Sequence, residues 1–380
     1  MMDHDFIYLD YNATTPVDQR VVDAMLPYFN GLYANSGSSH LFGLTVKEAV
    51  ENAAEDIAEL IGAEPKELVF TSGATESVNF GLKGFRVNDK NHIITVTTEH
   101  KSILDPCRQL QEDGFDIDYL NVDRSGNISL SELESLITER TLLVCIMLVN
   151  NETGIIHPIK EITELSHRTD CYVFCDATQA VGKIPVDVKE LGIDLMAFSA
   201  HKFFGPKGVG GLYISSSLKN KIRPQVQGGG QQAGLRSGTL NVPGIVGMGK
   251  AAQIAVAEMK EDSQKIKKLR DYLENELLKI FQTSVNGGHS ERIFNTTNIC
   301  FRGINAEELI LSLGNICVSS GSACNANTTR PSHVLQALGM SDIDALSSVR
   351  FSIGKYTTLQ EIETAVEKIR KTVALLRDPN

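Results

Sequence analysis

Lys202 stands directly after an apolar run and shortly before turn residues, an arrangement that suits covalent chemistry. The run Leu195–Ser199 predicts a strand, and Gly205-Pro206 predicts a turn. Ligands of open α/β folds bind at the carboxyl edge of the sheet, so a lysine there could form a Schiff base with a carbonyl compound. A solvated loop lysine is the alternative that this residue alone leaves open.

Asp176 ends a second predicted strand, Tyr172–Asp176, where a carboxylate is expensive to bury without a cationic partner. The ring nitrogen of pyridoxal 5'-phosphate (PLP) is such a partner, and this pairing makes the ring an electron sink. The 26 residues from Asp176 to Lys202 fit one strand–helix–strand step, so both side chains could reach one ligand. Taken alone, Asp176 could equally be a helix cap.

Two further segments predict ligand contacts at the same sheet edge. Residues 70–77, Phe-Thr-Ser-Gly-Ala-Thr-Glu-Ser, indicate a strand end that runs into a helix start, where backbone amides and the Thr75 hydroxyl could hold a phosphate. His100 follows the predicted strand His92–Val96 and could stack on an aromatic cofactor or move protons. A plain helix cap and a structural histidine are the alternatives. Together with Lys202 and Asp176, these segments predict a PLP site.

Cys324 differs from the other cysteines in its surroundings. It lies among small and polar residues between Ser319 and Pro331, whereas Cys145 and Cys175 have apolar neighbours. This composition predicts an exposed, mobile loop, and an exposed free cysteine is a liability without a use. We therefore interpret Cys324 as the reactive thiol, with an incidental surface cysteine as the alternative.

These residues must be positioned by an α/β sheet. From residue 45 to about 255, short apolar runs alternate with amphipathic segments, which predicts a mainly parallel sheet covered on both faces. The first clear helix is predicted to begin at Thr45, because Thr45 and Glu48 match a capping box. Thr358 and Glu361 predict a second capping box at the start of the last helix.

Length and charge bound the remaining possibilities. A chain of 380 residues is too long for one small core, so we assign a large domain to 15–255 and a smaller α+β domain to 1–14 and 256–380. The net charge of -11 argues against partners such as nucleic acid or an anionic membrane. Seven cysteines without a paired CxxC, no signal peptide and no membrane-spanning apolar run favour a cytoplasmic protein.

The chain resembles the cysteine desulfurases of the bacterial IscS/NifS type, within the class V aminotransferases, from Tyr8 to its last helix. The motifs that carry this resemblance are TSGATES at 71–77, TEHK at 98–101, VNNETG at 149–154, DATQ at 176–179, SAHK at 199–202, RSGT at 236–239 and SSGSAC at 319–324.

The resemblance implies a PLP-dependent aminotransferase of fold type I. Its large α/β domain would contain a mainly parallel seven-stranded sheet, and its smaller α+β domain would carry the catalytic cysteine loop at about 319–333. The implied activity takes sulfur from L-cysteine, releases L-alanine and leaves a persulfide on Cys324. Iron–sulfur cluster assembly and tRNA thiolation are both open as destinations of the sulfur.

Three alternative functions are compatible to different degrees with the same residues. A selenocysteine lyase or another class V aminotransferase would use the same scaffold. A non-enzymatic iron–sulfur scaffold is disfavoured, because only Cys171 and Cys175 lie close together in sequence.

The resemblance assigns roles around the cofactor ring. Lys202 would hold PLP covalently, Asp176 would contact the pyridine nitrogen, and His100 would stack on the ring. Asn151 and Gln179 would hold the ring and its phenolic oxygen. Lys202, His100 and Cys324 would be the catalytic residues, although the sequence leaves open whether His100 acts as an acid or a base.

The resemblance also implies phosphate, substrate and partner contacts. Arg350 would bind the substrate carboxylate with help from Asn35, and Thr239 would reach the phosphate of a neighbouring subunit in a homodimer. An IscU-like scaffold would accept the sulfur, and no intrinsic metal is implied, although Cys324 could transiently ligate a shared cluster. The residues implied to bind phosphate within one chain are Ala74, Thr75, Ser199 and His201.

Overall fold

The computed structural model describes residues 6–85, 90–320 and 330–378. The strands are β1 (Ile7–Tyr8), β2 (Leu68–Thr71), β3 (His92–Val96), β4 (Asp116–Leu120), β5 (Thr141–Met147), β6 (Tyr172–Asp176), β7 (Leu195–Ser199), β8 (Gly210–Ile214), β9 (Thr283–Val285), β10 (Thr296–Phe301), β11 (Ile316–Cys317) and β12 (Ser348–Ser352). The helices are α1 (Gln19–Met25), α2 (Pro27–Asn30), α3 (Leu41–Ile61), α4 (Ala74–Lys83), α5 (Lys101–Glu112), α6 (Leu130–Leu136), α7 (Ile159–His167), α8 (Val242–Leu277), α9 (Ala306–Leu313), α10 (His333–Ala337), α11 (Asp342–Leu346) and α12 (Leu359–Arg377).

Seven strands form the large sheet in the order β2-β8-β7-β6-β5-β3-β4. The pairs from β7 to β4 are parallel, and β8 is antiparallel to both β7 and β2. The predicted mainly parallel seven-stranded sheet is therefore confirmed. Because β2 runs in the same direction as β7, the carboxyl ends of β2, β3, β5, β6 and β7 lie at one edge.

Successive residues of the central strands pack into separate apolar cores on the two faces of this sheet. In β7, Met196 and Phe198 join the core that contains α3 and the first half of α8, whereas Leu195 and Ala197 join the core that contains α4 and α5. All five residues of β7 are buried. This burial on both faces explains why the strand reads as a continuous apolar run rather than an alternating one.

A third core joins the N-terminal residues Ile7 and Leu9 to the C-terminal third of the chain. It contains the three-stranded sheet β12-β10-β9, helices α9 and α12, and the second half of α8. The domain boundary between residues 255 and 256 falls inside α8, which contributes to both the first and the third core, and this boundary stays a prediction. No helix within the described ranges is long and apolar enough to cross a membrane.

The two predicted helix starts have different outcomes. Thr358 caps α12, and the Glu361 side chain accepts from the Thr358 amide, so this capping box is confirmed. The predicted start at Thr45 is wrong, because α3 begins four residues earlier, with His40 Nδ1 accepting from the Gly43 amide. Thr45 instead donates its hydroxyl to the Leu41 carbonyl within the helix, a bond that the Thr-x-x-Glu pattern does not exclude.

Candidate active site

A cavity of about 1120 Å³ lies at the carboxyl edge of the large sheet, where the third core packs against it. Its wall includes the ends of β2, β3, β5, β6 and β7 and, across the opening, Arg350 of β12. The predicted site residues that line it are Ala74, Thr75, His100, Asn151, Asp176, Gln179, Ser199, His201, Lys202 and Arg350.

Lys202 ends a single 3₁₀ turn that directly follows β7. Its Nζ donates to the backbone carbonyls of Asn12 and Ala13, at 2.5 and 2.7 Å. Burial, with a further contribution from the positive charge of Arg350, lowers the pKa of Lys202 to about 8. The uncharged amine, which is the nucleophilic form, is therefore accessible near neutral pH.

Asp176 is the last residue of β6 and is 6% exposed. One carboxylate oxygen accepts from the Thr178 amide at 2.9 Å. Among the described residues, no cationic side chain forms an ion pair with it. A buried carboxylate that faces a cavity in this way suits a cationic ring nitrogen as its partner.

The N-terminus of α4 also faces the cavity. Gly73 is its N-cap residue, and no side chain in the described ranges caps the first turn. Gly73 lies directly on β8. A Cβ at Gly210 would come within 2.7 Å of the Gly73 Cα and 2.6 Å of the Phe198 carbonyl oxygen. Uncapped amides and the helix dipole form a suitable site for a phosphate group.

His100 is the N-cap residue of α5, and its Nδ1 accepts from the Ser102 amide at 3.1 Å. In the neutral imidazole the proton therefore lies on Nε2. Burial lowers the pKa of His100, and the Lys202 charge adds to this effect, whereas the Asp176 charge opposes it. A neutral imidazole at this position can accept or donate a proton at Nε2.

Arg350 is buried in β12, with its guanidinium directed at the cavity wall. One terminal nitrogen pairs with Asp10 at 2.7 Å, and the other donates to the Asn151 carbonyl at 3.1 Å. Its Nε is buried without a partner among the described residues. This planar cation can bind a carboxylate through two hydrogen bonds.

Several buried polar atoms at the cavity wall support the fit of a polar aromatic cofactor. Asn151 Oδ1 and Thr178 Oγ1 have no hydrogen-bond partner within the part of the chain that is described. Such orphaned groups are costly unless a ligand satisfies them. Together with Asp176, Lys202 and the α4 terminus, they match the ring, aldehyde and phosphate of PLP.

Three predicted site residues are not brought to this cavity by the described chain. Asn35 and Thr239 are exposed and do not line it, and Asn35 Oδ1 accepts from the Gly37 amide at 2.9 Å. Cys324 lies outside the described residues. Ser199 and His201 do line it, although His201 Nδ1 contacts Thr14 Oγ1 at 3.1 Å, and burial lowers its pKa to about 4.

The sequence interpretation missed several polar residues around the cavity. Asp10 pairs with Arg350, and the Asn12 carbonyl accepts from both Lys202 and Gln179. Glu152 lines the cavity, accepts the Ser332 hydroxyl at 2.5 Å, and has its pKa raised by burial to about 7. No spacing rule links Asp10 and Asn12 to these partners, which lie between 167 and 340 positions away in the sequence.

The fold and the cavity define a class of protein that sequence comparison also finds. The profile of the aminotransferase class-V family matches residues 7–364, and the chain belongs to this family. Relatives that align over nearly the whole chain are named cysteine desulfurases. Cysteine desulfurase IscS of Pectobacterium carotovorum is 47% identical over 378 residues, covering 98% of this chain and 94% of the relative.

Two further comparisons agree with this family. The mitochondrial cysteine desulfurase of Arthroderma benhamiae is 47% identical, covering 98% of this chain and 75% of the relative. Among solved structures, a NifS-like protein superposes with a TM-score of 0.92 at 39% identity, covering 98% of this chain and all of that one. The predicted family and fold type are thereby confirmed.

Proposed function

We propose that the protein is a PLP-dependent cysteine desulfurase that converts L-cysteine to L-alanine and transfers the sulfur to Cys324. The observation that carries this proposal is the convergence of Lys202, Asp176 and the uncapped end of α4 on one cavity. PLP requires three contacts, namely a lysine, a buried carboxylate and a phosphate site. The identity of about 47% to cysteine desulfurases supports the choice of substrate.

Each residue of the cavity has a defined task in this proposal. PLP, when bound, supplies an electron sink for the bonds around the amino acid Cα. Lys202 would hold the cofactor and, once released by substrate, move the Cα proton with its amine. Asp176 would keep the ring nitrogen protonated. Asn151, Gln179, Ser199, His201, Ala74 and Thr75 would provide the remaining cofactor contacts.

Arg350 would orient the substrate by binding its carboxylate. Its guanidinium is already held by Asp10 and the Asn151 carbonyl, so little side-chain entropy is lost on binding. His100 Nε2 would exchange a proton with a thiol, either that of the substrate or that of Cys324. Exclusion of water by the buried wall would strengthen these polar contacts.

Cys324 would take the sulfur as a nucleophile. Its thiolate attacks the substrate sulfur, the S–S bond of the persulfide forms, and the carbon–sulfur bond of the substrate breaks. The electron pair of that bond stays with the carbon skeleton, which takes up a proton at Cβ and leaves as alanine. One cysteine and one thiol give one alanine and one persulfide, so no external oxidant or reductant is needed.

Substitution of Cys324 tests this assignment. Cys324→Ala should retain the yellow cofactor band and bind L-cysteine but lose persulfide and alanine formation by at least 100-fold, because the sulfur acceptor is absent. Cys317→Ala, at a half-buried cysteine in β11, is the matched control and should remain active. Full alanine production by Cys324→Ala would contradict the assignment.

Substitution of Lys202 tests the cofactor anchor separately. Lys202→Ala should lose the absorption band of lysine-bound PLP, whereas Lys207→Ala, at another lysine of the cavity wall, should keep it. An unchanged spectrum of Lys202→Ala would refute the anchor. Absorption spectra of the two purified variants are sufficient for this comparison.

The assembly and location remain part of the proposal. Large exposed apolar side chains between residues 26 and 44, including Phe29, Tyr33 and Leu41, support a homodimer in which Thr239 reaches the partner's site. Light scattering should then give twice the mass of the chain.

The six cysteines that are described are free thiols, which supports a cytoplasmic location. An IscU-like scaffold would accept the sulfur for iron–sulfur clusters, with tRNA thiolation as the second destination.

A further inference from the structure

Lys183 is a buried lysine that lies behind the cavity and has no task in the reaction outlined above. It is 8% exposed, and burial lowers its pKa well below the ordinary value, with no described carboxylate offsetting this effect. Its Nζ donates to Gln179 Oε1 at 2.7 Å and approaches Asn12 Oδ1 at 3.5 Å. The polar contacts of this amine are therefore two amide oxygens rather than an acid.

The contact with Lys183 decides which end of the Gln179 amide faces which neighbour. Gln179 Nε2 donates to the Asn12 carbonyl at 3.0 Å, and a carbonyl oxygen can only accept. A flipped amide would set Oε1 against that carbonyl oxygen and would lose the hydrogen bond that Oε1 accepts from the lysine amine. Two neighbours thus favour one orientation, in which the Nε2 group keeps a second N–H for a ligand in the cavity that Gln179 lines.

The same lysine contacts the residue that holds Lys202. Asn12 Oδ1 faces Lys183 and also accepts from Asn295 Nδ2 at 3.2 Å, while Asn12 Nδ2 donates to Thr296 Oγ1 at 2.9 Å. The Asn12 carbonyl in turn accepts from Lys202. Lys183 therefore lies at the base of a hydrogen-bond network that extends through two amides to the cofactor lysine.

We propose that Lys183 is a positioning residue that fixes the Gln179 amide so that its second N–H faces the cavity, where it donates to the ionised phenolic oxygen of bound PLP. This inference rests on the proposed function, because that oxygen is the acceptor. A donor at this oxygen stabilises its negative charge most when the neighbouring lysine–cofactor linkage is deprotonated. It therefore lowers the pH at which the linkage loses its proton.

A pH titration of the cofactor absorption band, without substrate, tests the inference in four holoenzymes: wild type, Lys183→Met, Gln179→Leu and the double variant. Each single variant should raise the midpoint by about one pH unit, a tenfold change in proton affinity. Loss of a nearby cation could raise the midpoint without involving the amide. The double variant separates these causes and should titrate like Gln179→Leu alone.

Two results would overturn the inference: an unchanged midpoint in Lys183→Met, or additive shifts in the double variant. Lys189→Met, at an exposed lysine paired with Glu64, is the matched control and should titrate like the wild type. If Lys183→Met does not fold, Lys183→Gln replaces it in the same cycle, because its amide no longer enforces one orientation. A wild-type protein without the lysine-bound band would instead contradict the proposed function, and the inference would fall with it.

Discussion

The amine of Lys202 lies in surroundings that favour its uncharged form, since burial and the Arg350 charge both lower its pKa. Its pKa of about 8 predicts that the rate of PLP binding to the apoprotein rises with pH and levels off above about 8. The reason is that only the free amine attacks the aldehyde. Stopped-flow absorbance across pH 6–11 would measure this, and a midpoint near the ordinary value for lysine, about 10.4, would contradict it.

Arg350 allows a second prediction about a single residue. Arg350→Lys should raise the KM for L-cysteine about 10- to 100-fold while retaining the cofactor band, because a lysine cannot bind the carboxylate with two parallel hydrogen bonds. Arg292→Lys, at a half-buried arginine that pairs with Glu274 and does not line the cavity, is the control. Equal KM values for Arg350→Lys and the wild type would exclude Arg350 as the carboxylate contact.

Glu152 gives a prediction about stability and pH. Burial raises its folded-state pKa to about 7, so its contribution to stability is present below the unfolded value, about 4.5, and is lost as pH rises through 7. Glu152→Gln should remove this dependence. Its free energy of unfolding should therefore gain about 3 kcal/mol on that of the wild type as the pH rises from 4.5 to 8. Urea unfolding at several pH values measures this, with Glu363→Gln, at an exposed glutamate, as the control. If the free energies of unfolding of Glu152→Gln and the wild type changed in parallel with pH, the prediction would be contradicted.

At the scale of elements, the strands that carry the site were predictable because they are buried on both faces. β3 and β7 have the predicted bounds. Lys202, Asp176 and His100 line one cavity because each lies at or just after the carboxyl end of a parallel strand. The start of α3 was not predictable from a capping pattern, since His40 supplies the cap. Thr239 and Asn35 lie outside the cavity of one chain. The resemblance assigns Thr239 to a neighbouring subunit's site, whereas no motif indicates this placement for Asn35.

The close contact between Gly210 of β8 and Gly73, the N-cap residue of α4, gives a further prediction. Gly210→Ala should weaken PLP binding at least tenfold and destabilise the fold by about 1–3 kcal/mol, because the new Cβ would collide with the Gly73 and Phe198 backbones. Gly114→Ala, where a Cβ meets nothing within 4 Å but φ is +96°, is the control: it should lower stability without weakening PLP binding. Cofactor titration and thermal unfolding give both quantities, and equal PLP affinities for the two variants would argue against the contact.

Across the whole molecule, Lys355 joins segments that are far apart in sequence. Its Nζ pairs with Asp18 of the α1 N-cap at 2.6 Å and with Glu258 of α8 at 3.4 Å, and it lies 4.7 Å from the centre of the Phe204 ring. Neither propensity nor periodicity predicts such a contact, because the partners lie 337 and 97 residues away. Their pairing links the C-terminal core to the N-terminal helix beside the large sheet.

Removal of this buried cation should be costly. Lys355→Met should lower the free energy of unfolding by about 2–4 kcal/mol. We expect a value near the lower limit because Arg20 still pairs with Asp18. Lys371→Met removes an exposed pair with Glu367 and should leave the free energy of unfolding almost unchanged. Chemical unfolding of both variants checks this, and indistinguishable values would show that Lys355 does not join the cores energetically.

The central claim, sulfur transfer from L-cysteine to Cys324, is tested most directly by a single-turnover experiment with the holoenzyme. One equivalent of L-cysteine is added without a keto acid, alanine is quantified, and the peptide that contains Cys324 is analysed by mass spectrometry. The account predicts alanine in equal amount to a Cys324 peptide that has gained one sulfur atom. Absence of alanine, or sulfur on a different cysteine, would contradict it.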